Sequence, residues 1–201
     1  MGGLTTQKIR AKPAWRRVTV SHPFVKALRD GSMRDAVFVR WFEQDSSFGP
    51  TIKRLLAKTA TLNPDSRATL ERLSAADGSV YVDHAPADHT SGAPAIEATK
   101  EYREFVKGLL DAEHGGIKSV LLVVTWLVFE IYVEVWTTSL VPAAKPFCAS
   151  LRPLAPDVDA LREQVDAALL RADKGVERCV TRAVEMCMEF EVRFLDLLME
   201  A

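Results

Sequence analysis

A long apolar segment in the second half of the chain constrains the fold more than any other feature. Residues 117–140 read IKSVLLVVTWLVFEIYVEVWTTSL, and the apolar run Val120–Phe129 is interrupted by Thr125. Glu130 and Glu134 follow that run, so its length is about half of what spans a bilayer. A helix that is apolar on nearly all sides belongs in the interior of a protein. The segment therefore predicts a buried helix rather than a membrane span.

Helical periodicity and turn signals dominate the remaining sequence. A loop rich in Asp, His, Pro, Ala and Gly is expected over residues 77–94, and the only strand-like alternation is the fragment Ser79–Val82. The 201 residues fit one domain, 1–201, with residues 1–13 expected to be flexible. The sequence thus predicts an all-α single domain, with further helices at about 14–30, 33–48, 50–62, 64–76, 95–112, 156–172 and 175–200.

Composition narrows the compartment and the class of partner. The formal net charge is -1 and both signs are spread along helical faces, which argues against nucleic acid or an anionic membrane as a partner. The odd set Cys148, Cys179 and Cys187 favours free thiols in a reducing compartment, and no secretory signal is visible. We expect a cytoplasmic protein, although the first 17 residues are basic and free of acids, as in an organellar targeting segment.

Several familiar chemistries have no counterpart in this sequence. It contains no glycine-rich phosphate loop, no nucleophile elbow and no closely spaced Cys/His cluster, so we expect neither a metal nor a cofactor. The histidines His84 and His89 fall in the expected loop, where polar residues are ordinary. His22 is the one that could suggest a haem ligand, and His114 completes the set.

A carboxylate interrupts the apolar stripe of the last helix. At helical spacing Glu191 shares a face with Val184, Cys187, Met188, Phe194, Leu195 and Leu198. A buried carboxylate costs several kcal/mol unless it is paired or hydrogen-bonded, so a chain that keeps one usually has a ligand or partner for it. The alternative is a surface glutamate at the edge of the stripe.

A second inward acid is expected near the middle of the first half. Phe38, Trp41, Asp45 and Phe48 recur at i, i+3, i+7 and i+10, which places an aspartate among aromatic rings on one helical face. Ser32 is the expected N-cap of this helix. The alternative is that Asp45 merely caps a helix that ends near Gly49-Pro50.

Three stretches of the chain together resemble the TenA family of aminopyrimidine hydrolases (thiaminase II). They are 21–33 (SHPFVKALRDGSM) running on to Gln44-Asp45, 98–102 (ATKEY) with the apolar helix and 132–136 (YVEVW), and 188–196 (MEFEVRFLD). The resemblance implies the heme oxygenase-like all-α bundle and a homo-oligomer, with a dimer favoured. It points to the branch that uses a glutamate in place of a cysteine, since Thr125 and Trp126 have no cysteine beside them.

The resemblance also implies roles for individual side chains. Asp45 would recognise the pyrimidine, since a carboxyl group matches the amidine-like edge of a 4-aminopyrimidine with two hydrogen bonds. Phe48 and Trp41 would stack on the ring. Glu191 would protonate the leaving amine, because a desolvated carboxyl has the raised pKa that a general acid requires.

One position departs from the family pattern. Phe129 stands where the second catalytic glutamate is expected, and Glu130, one residue later, is rotated by about 100° on a regular helix. If a bulge brings Glu130 to the pocket, it would activate water together with Tyr132. The implied function is hydrolysis of aminomethyl- or formylaminomethyl-pyrimidines in thiamin salvage. The alternatives are a divergent TenA-like protein that binds or hydrolyses another small molecule, and a non-catalytic interaction protein on the same fold.

Overall fold

A computed structural model describes residues 3–83, 94–113 and 115–200 of the chain. The described residues contain no β-strand, which confirms the all-α prediction. Single turns of tighter or wider helix join several of the α-helices. The helices are α1 (Thr6–Arg10), α2 (Pro13–Arg16), α3 (Pro23–Asp30), α4 (Asp35–Ser46), α5 (Gly49–Leu62), α6 (Arg67–Asp83), α7 (Glu97–Asp111), α8 (Ile117–Trp136), α9 (Lys145–Leu151), α10 (Ala155–Leu170) and α11 (Lys174–Met199).

Helix α8 is the central element, as its apolar sequence predicts. It packs against α5, α10 and α11. It is long and apolar enough to cross a membrane, but most of its residues are buried inside the bundle. The hydrophobic surface that would otherwise face lipid is therefore covered by protein, as in the core helix of a bundle.

Several helix boundaries differ from the sequence prediction. The expected helix 14–30 is interrupted at His22, because Pro23 lacks an N–H and starts a new helix there. Helix α6 continues to Asp83, so the strand-like fragment Ser79–Val82 is helical. Helix α8 ends at Trp136, four residues earlier than expected. Residues 84–93 of the expected loop, which include His84 and His89, lie outside the described residues, as does His114.

The N-terminal segment contains a helix that periodicity did not predict. Thr5 caps α1, and the backbone N–H and hydroxyl of Thr6 donate to the two carboxylate oxygens of Asp166 on α10, each over 2.7 Å. Ile9 is fully buried. Part of the segment that we expected to be flexible is thus fastened to the bundle.

The junctions around α4 position the side chains that matter for function. Gly31 ends α3 in the left-handed conformation with φ 76°, and the N-cap of α4 is Arg34 rather than the predicted Ser32, whose N–H donates instead to Asp30. Helix α4 ends at Ser46 and α5 begins at Gly49. Asp45 therefore lies in the last turn of α4.

Candidate active site

Helices α4, α5, α7, α8 and α11 enclose a pocket that contains both predicted acids. It holds about 620 Å³ of empty space including its mouth, of which about 50 Å³ is open to the centres of water-sized molecules. By the volume that one water needs, this leaves room for a few waters or one small ring. The lining residues are Gln44, Asp45, Phe48, Gly49, Ile52, Ala98, Thr99, Tyr102, Val128, Phe129, Tyr132, Glu191 and Phe194.

Asp45 lines this pocket and is only 9% exposed. Its carboxylate accepts a hydrogen bond from the hydroxyl of Tyr132, which reaches across from α8. A residue whose only role was to cap α4 would not need this partner 87 positions away in the sequence. Asp45 and Tyr132 thus form a partly buried polar pair, and both residues line the pocket.

Gln44 holds the walls of the pocket together, a role that the sequence analysis missed. Its amide nitrogen donates to the carbonyl of Pro94 over 3.0 Å, and its amide oxygen accepts from the N–H of Ile96 at 2.8 Å and from the Thr99 hydroxyl at 3.3 Å. Because these partners precede or begin α7, Gln44 joins the end of α4 to the start of α7. No local sequence signal marks this contact.

Glu191 lies on α11 and lines the same pocket as Asp45. Its side chain is half-buried, and it also lines a second, smaller cavity. Burial raises the pKa of Glu191 to about 7, because the charged form loses hydration, and the Tyr102 hydroxyl opposes this shift. A carboxyl group with that pKa can both give and take a proton near neutral pH.

Tyr102 is a further functional candidate that the sequence analysis quoted without a role. Its ring packs on Phe190 with centroids 5.3 Å apart and on Phe48 at 5.0 Å. Among the described residues its buried hydroxyl has no hydrogen-bond partner of good geometry. Burial raises the pKa of Tyr102 well above its usual value, with Cys187 and Glu191 adding to the effect. The spacing of Ala98, Tyr102 and Val106, four residues apart on α7, is the sequence signal that could have indicated a buried position for Tyr102.

The structure places the predicted aromatic residues in two groups. Phe48 lines the pocket, as predicted. Trp41, which we expected to stack on the ring of a ligand, is not among the residues that line this pocket. It lies one turn earlier on α4 and deeper in the bundle, where Trp136, with a centroid distance of 4.0 Å, and Tyr132, at 6.3 Å, pack against it. Trp41 therefore supports Tyr132 from behind.

Glu130 faces away from the pocket, so its prediction as a pocket residue is wrong. Helix α8 is regular over Ile117–Trp136, without the bulge that would have turned Glu130 inward. Its carboxylate accepts from Arg162 at 3.0 and 3.1 Å and from the indole N–H of Trp126 at 3.0 Å, and it pairs with Arg10 at 3.3 Å. Glu130 is an ionic anchor between α1, α8 and α10.

Phe129 lines the pocket at the position where the resemblance to the TenA family implies a glutamate. It is 5% exposed and lines the pocket beside Val128. The ionisable groups among the lining residues are therefore Asp45, Tyr102, Tyr132 and Glu191. Among the described residues of the lining, these are the groups that can exchange a proton with a ligand or with water.

His22 is fully engaged within the protein. Its Nδ1 accepts the N–H of Phe24 at 3.1 Å, which leaves the proton on Nε2 to donate to Asp196 over 2.9 Å. Burial lowers the pKa of His22, and Asp196 offsets part of this shift. With both nitrogens occupied, His22 caps α3 and is not available to ligate a haem iron.

Comparison with known proteins supports the fold through structure alone. No protein-family model and no curated protein matches the chain. Solved structures do match. A TenA homologue from Pyrococcus furiosus is 12% identical with a TM-score of 0.78, over 97% of this chain and 100% of that one. A TenA family transcription regulator from Silicibacter sp. is 17% identical with a TM-score of 0.79, over 98% and 96%.

A third solved structure carries a description that names an activity. A protein from Sulfolobus solfataricus, provisionally described as a TenA-like thiaminase, is 16% identical with a TM-score of 0.68, over 93% of this chain and 90% of that one. At these identities the likeness shows the fold. The chain has the all-α fold of the TenA homologues over nearly its whole length, as the sequence resemblance implied.

Proposed function

We propose that this chain is a TenA-like hydrolase that releases ammonia from aminomethyl-pyrimidines, or from formylaminomethyl-pyrimidines after deformylation, in thiamin salvage. One observation carries the proposal: Asp45 and Glu191, both inward-facing acids, line a single small pocket with aromatic walls. The TenA fold of the chain agrees with it.

The residues that line the pocket are of the kinds that bind an aminopyrimidine. Phe48, Phe129 and Phe194 supply flat apolar surface, which suits a heteroaromatic ring. The Asp45 carboxylate accepts hydrogen bonds from the ring amine and, when the neighbouring ring nitrogen is protonated, from that nitrogen as well. The hydroxyl of Tyr132 orients the Asp45 carboxylate for this contact.

Glu191 is the proposed general acid. Its protonated carboxyl donates to the amine nitrogen as the carbon–nitrogen bond breaks, and the electron pair of that bond leaves with ammonia. The oxygen of a water molecule bonds to the carbon, and the proton released by that water returns to Glu191. This cycle needs one carboxyl group that exchanges a proton near neutral pH, which the raised pKa of about 7 provides.

A second candidate function rests on Phe129. With an apolar ring at this position and Glu130 paired with Arg162, the described lining holds no acid besides Asp45 and Glu191 that could activate water. The chain would then bind a small heteroaromatic compound, or hydrolyse another one, without releasing ammonia from aminopyrimidines.

Calorimetric titration with 4-aminopyrimidines tests the binding half of the proposal. A 4-aminopyrimidine should bind the wild-type protein, and an otherwise identical pyrimidine without the amino group should bind at least about tenfold more weakly, because the hydrogen bonds to Asp45 are lost. Asp45→Asn should remove this preference, whereas Asp35→Asn, at an exposed position on the same helix, should keep it. Equal binding of both compounds by the wild type would contradict the proposal.

A further inference from the structure

A second, smaller cavity lies behind the pocket, between α3, α4, α8 and α11. About 20 Å³ of it is open to the centre of a water molecule, which is space for one molecule of that size. Tyr132, Glu191 and Phe194 line both spaces and so form the wall between them. We call this second space the rear cavity.

Aromatic residues make up half of the lining of the rear cavity, and aliphatic side chains supply most of the rest. Besides Tyr132 and Phe194, it is lined by Phe24, Trp41 and Trp136. The ring centroids of Trp41 and Trp136 are 4.0 Å apart, and those of Phe24 and Trp136 are 6.1 Å apart in an edge-on arrangement. Glu191 is the acidic residue of this lining.

Aromatic rings together with an acidic residue form a lining that favours the binding of a cation. The face of an aromatic ring attracts cations, most strongly when they are desolvated, and aromatic cages recognise ammonium compounds. Ammonia and ammonium match the size of the rear cavity, and ammonium also matches its rings and its acid.

We infer that the rear cavity receives the ammonia that leaves the substrate and holds it as an ammonium ion beside Glu191. This inference rests on the proposed function, in which the carbon–nitrogen bond breaks at Glu191. Ammonia is the stronger base, so it takes the proton that Glu191 has recovered from water. The result is an ammonium–carboxylate pair, separated by the wall of Tyr132, Glu191 and Phe194 from the alcohol product in the pocket.

Ammonium binding can be measured without any turnover. The melting temperature of the wild-type protein is compared in about 50 mM ammonium chloride and in the same concentration of sodium chloride at pH 8, where Glu191 is ionised. Ammonium should raise the melting temperature by about 2–4 °C relative to sodium, because it binds the folded state alone. Sodium should do less, since it is strongly hydrated.

A larger side chain in the rear cavity tests whether ammonium binds there. Val135 lines it, so Val135→Leu should abolish the ammonium-specific rise. Val133→Leu, the same change at a half-buried site on the same helix that lines neither cavity, should retain it. Val18→Ile, which fills the rear cavity from the turn before α3, serves if Val135→Leu does not fold.

The outcomes separate this inference from the proposed function. Equal melting temperatures in ammonium and sodium, or a rise that survives in Val135→Leu, would overturn the rear cavity as an ammonium site even if the protein releases ammonia from aminopyrimidines. An ammonium-specific rise in a protein that hydrolyses no aminopyrimidine would keep the cation site and overturn the proposed reaction instead.

Discussion

At the scale of single residues, environment gives the two pocket acids different tasks. Asp45 is held by the hydroxyl of Tyr132, which stabilises a fixed acceptor of hydrogen bonds. Glu191 has apolar and aromatic neighbours, and burial raises its pKa to about 7. One carboxyl group is therefore suited to recognition and the other to proton transfer.

The raised pKa of Glu191 predicts how stability changes with pH. The unfolded chain loses this proton near pH 4.5 and the folded chain near pH 7, so between those values the folded state binds more protons and stability falls as pH rises. Glu191→Gln should remove this decline. Its free energy of unfolding relative to wild type should rise by at most about 3 kcal/mol between pH 5 and pH 8, measured by urea titration.

The matched control is Glu189→Gln, an exposed position on the same helix. It should follow the wild-type dependence on pH. If Glu191→Gln and Glu189→Gln show the same difference from wild type at pH 5 and pH 8, then Glu191 does not have the raised pKa on which the proposed acid role depends.

At the scale of elements, the two sides of α8 have different roles: one lines the pocket and the other forms ion pairs. Phe129 lines the pocket, while Glu130, about 100° further round, pairs with Arg162 and Arg10 on the other side. Removal of one partner from a buried ion pair typically costs about 3–5 kcal/mol. Here the cost should be lower, because Arg162 keeps Asp159 and Arg10 keeps Glu134.

Glu130→Gln should therefore destabilise the fold by about 1–3 kcal/mol and leave ligand binding unchanged below its melting temperature. Glu134→Gln, one turn later with a single exposed arginine partner, should cost less than about 1 kcal/mol. Urea unfolding and titration with a 4-aminopyrimidine measure the two effects. Loss of binding by folded Glu130→Gln would show that this anchor shapes the pocket after all.

Some of these side-chain positions follow from the periodicity of a single helix, and others do not. The inward orientation of Asp45 and Glu191 depends only on the periodicity of their own helices, so it could be predicted. Rotation about a regular helix already disfavoured Glu130. The hydrogen bonds between Gln44 and the start of α7, and the position of Tyr102 in the pocket lining, depend on which helices become neighbours. No local sequence pattern carries that information. Depth in the bundle, which removes Trp41 from the pocket, is equally non-local.

At the scale of the whole molecule, we propose that the chain forms a homo-oligomer, with a dimer favoured. The single chain exposes large hydrophobic side chains at Leu140 and Leu170, which are 61% and 75% exposed, and its net charge is close to zero. Both features are compatible with a helix-on-helix interface. Light scattering at micromolar concentration should give at least twice the monomer mass of 22.3 kDa; a monomer would contradict the proposal.

The central claim is that Asp45 and Glu191 make one hydrolytic pocket, and ammonia release measures it most directly. Purified protein is incubated with an aminomethyl-pyrimidine and with its formylated form, and ammonia is quantified over time. Wild type should release ammonia. Glu191→Gln should lower kcat by about a hundred- to ten-thousand-fold with little change in KM, because it removes the general acid.

Asp45→Asn should instead damage both kcat and KM, because it weakens the contact that holds the ring. Glu189→Gln and Asp35→Asn, exposed neighbours on the same two helices, should behave as wild type. If wild-type protein releases no ammonia from either compound, or if Glu191→Gln releases it at the wild-type rate, the account of this pocket as an aminopyrimidine hydrolase site is wrong.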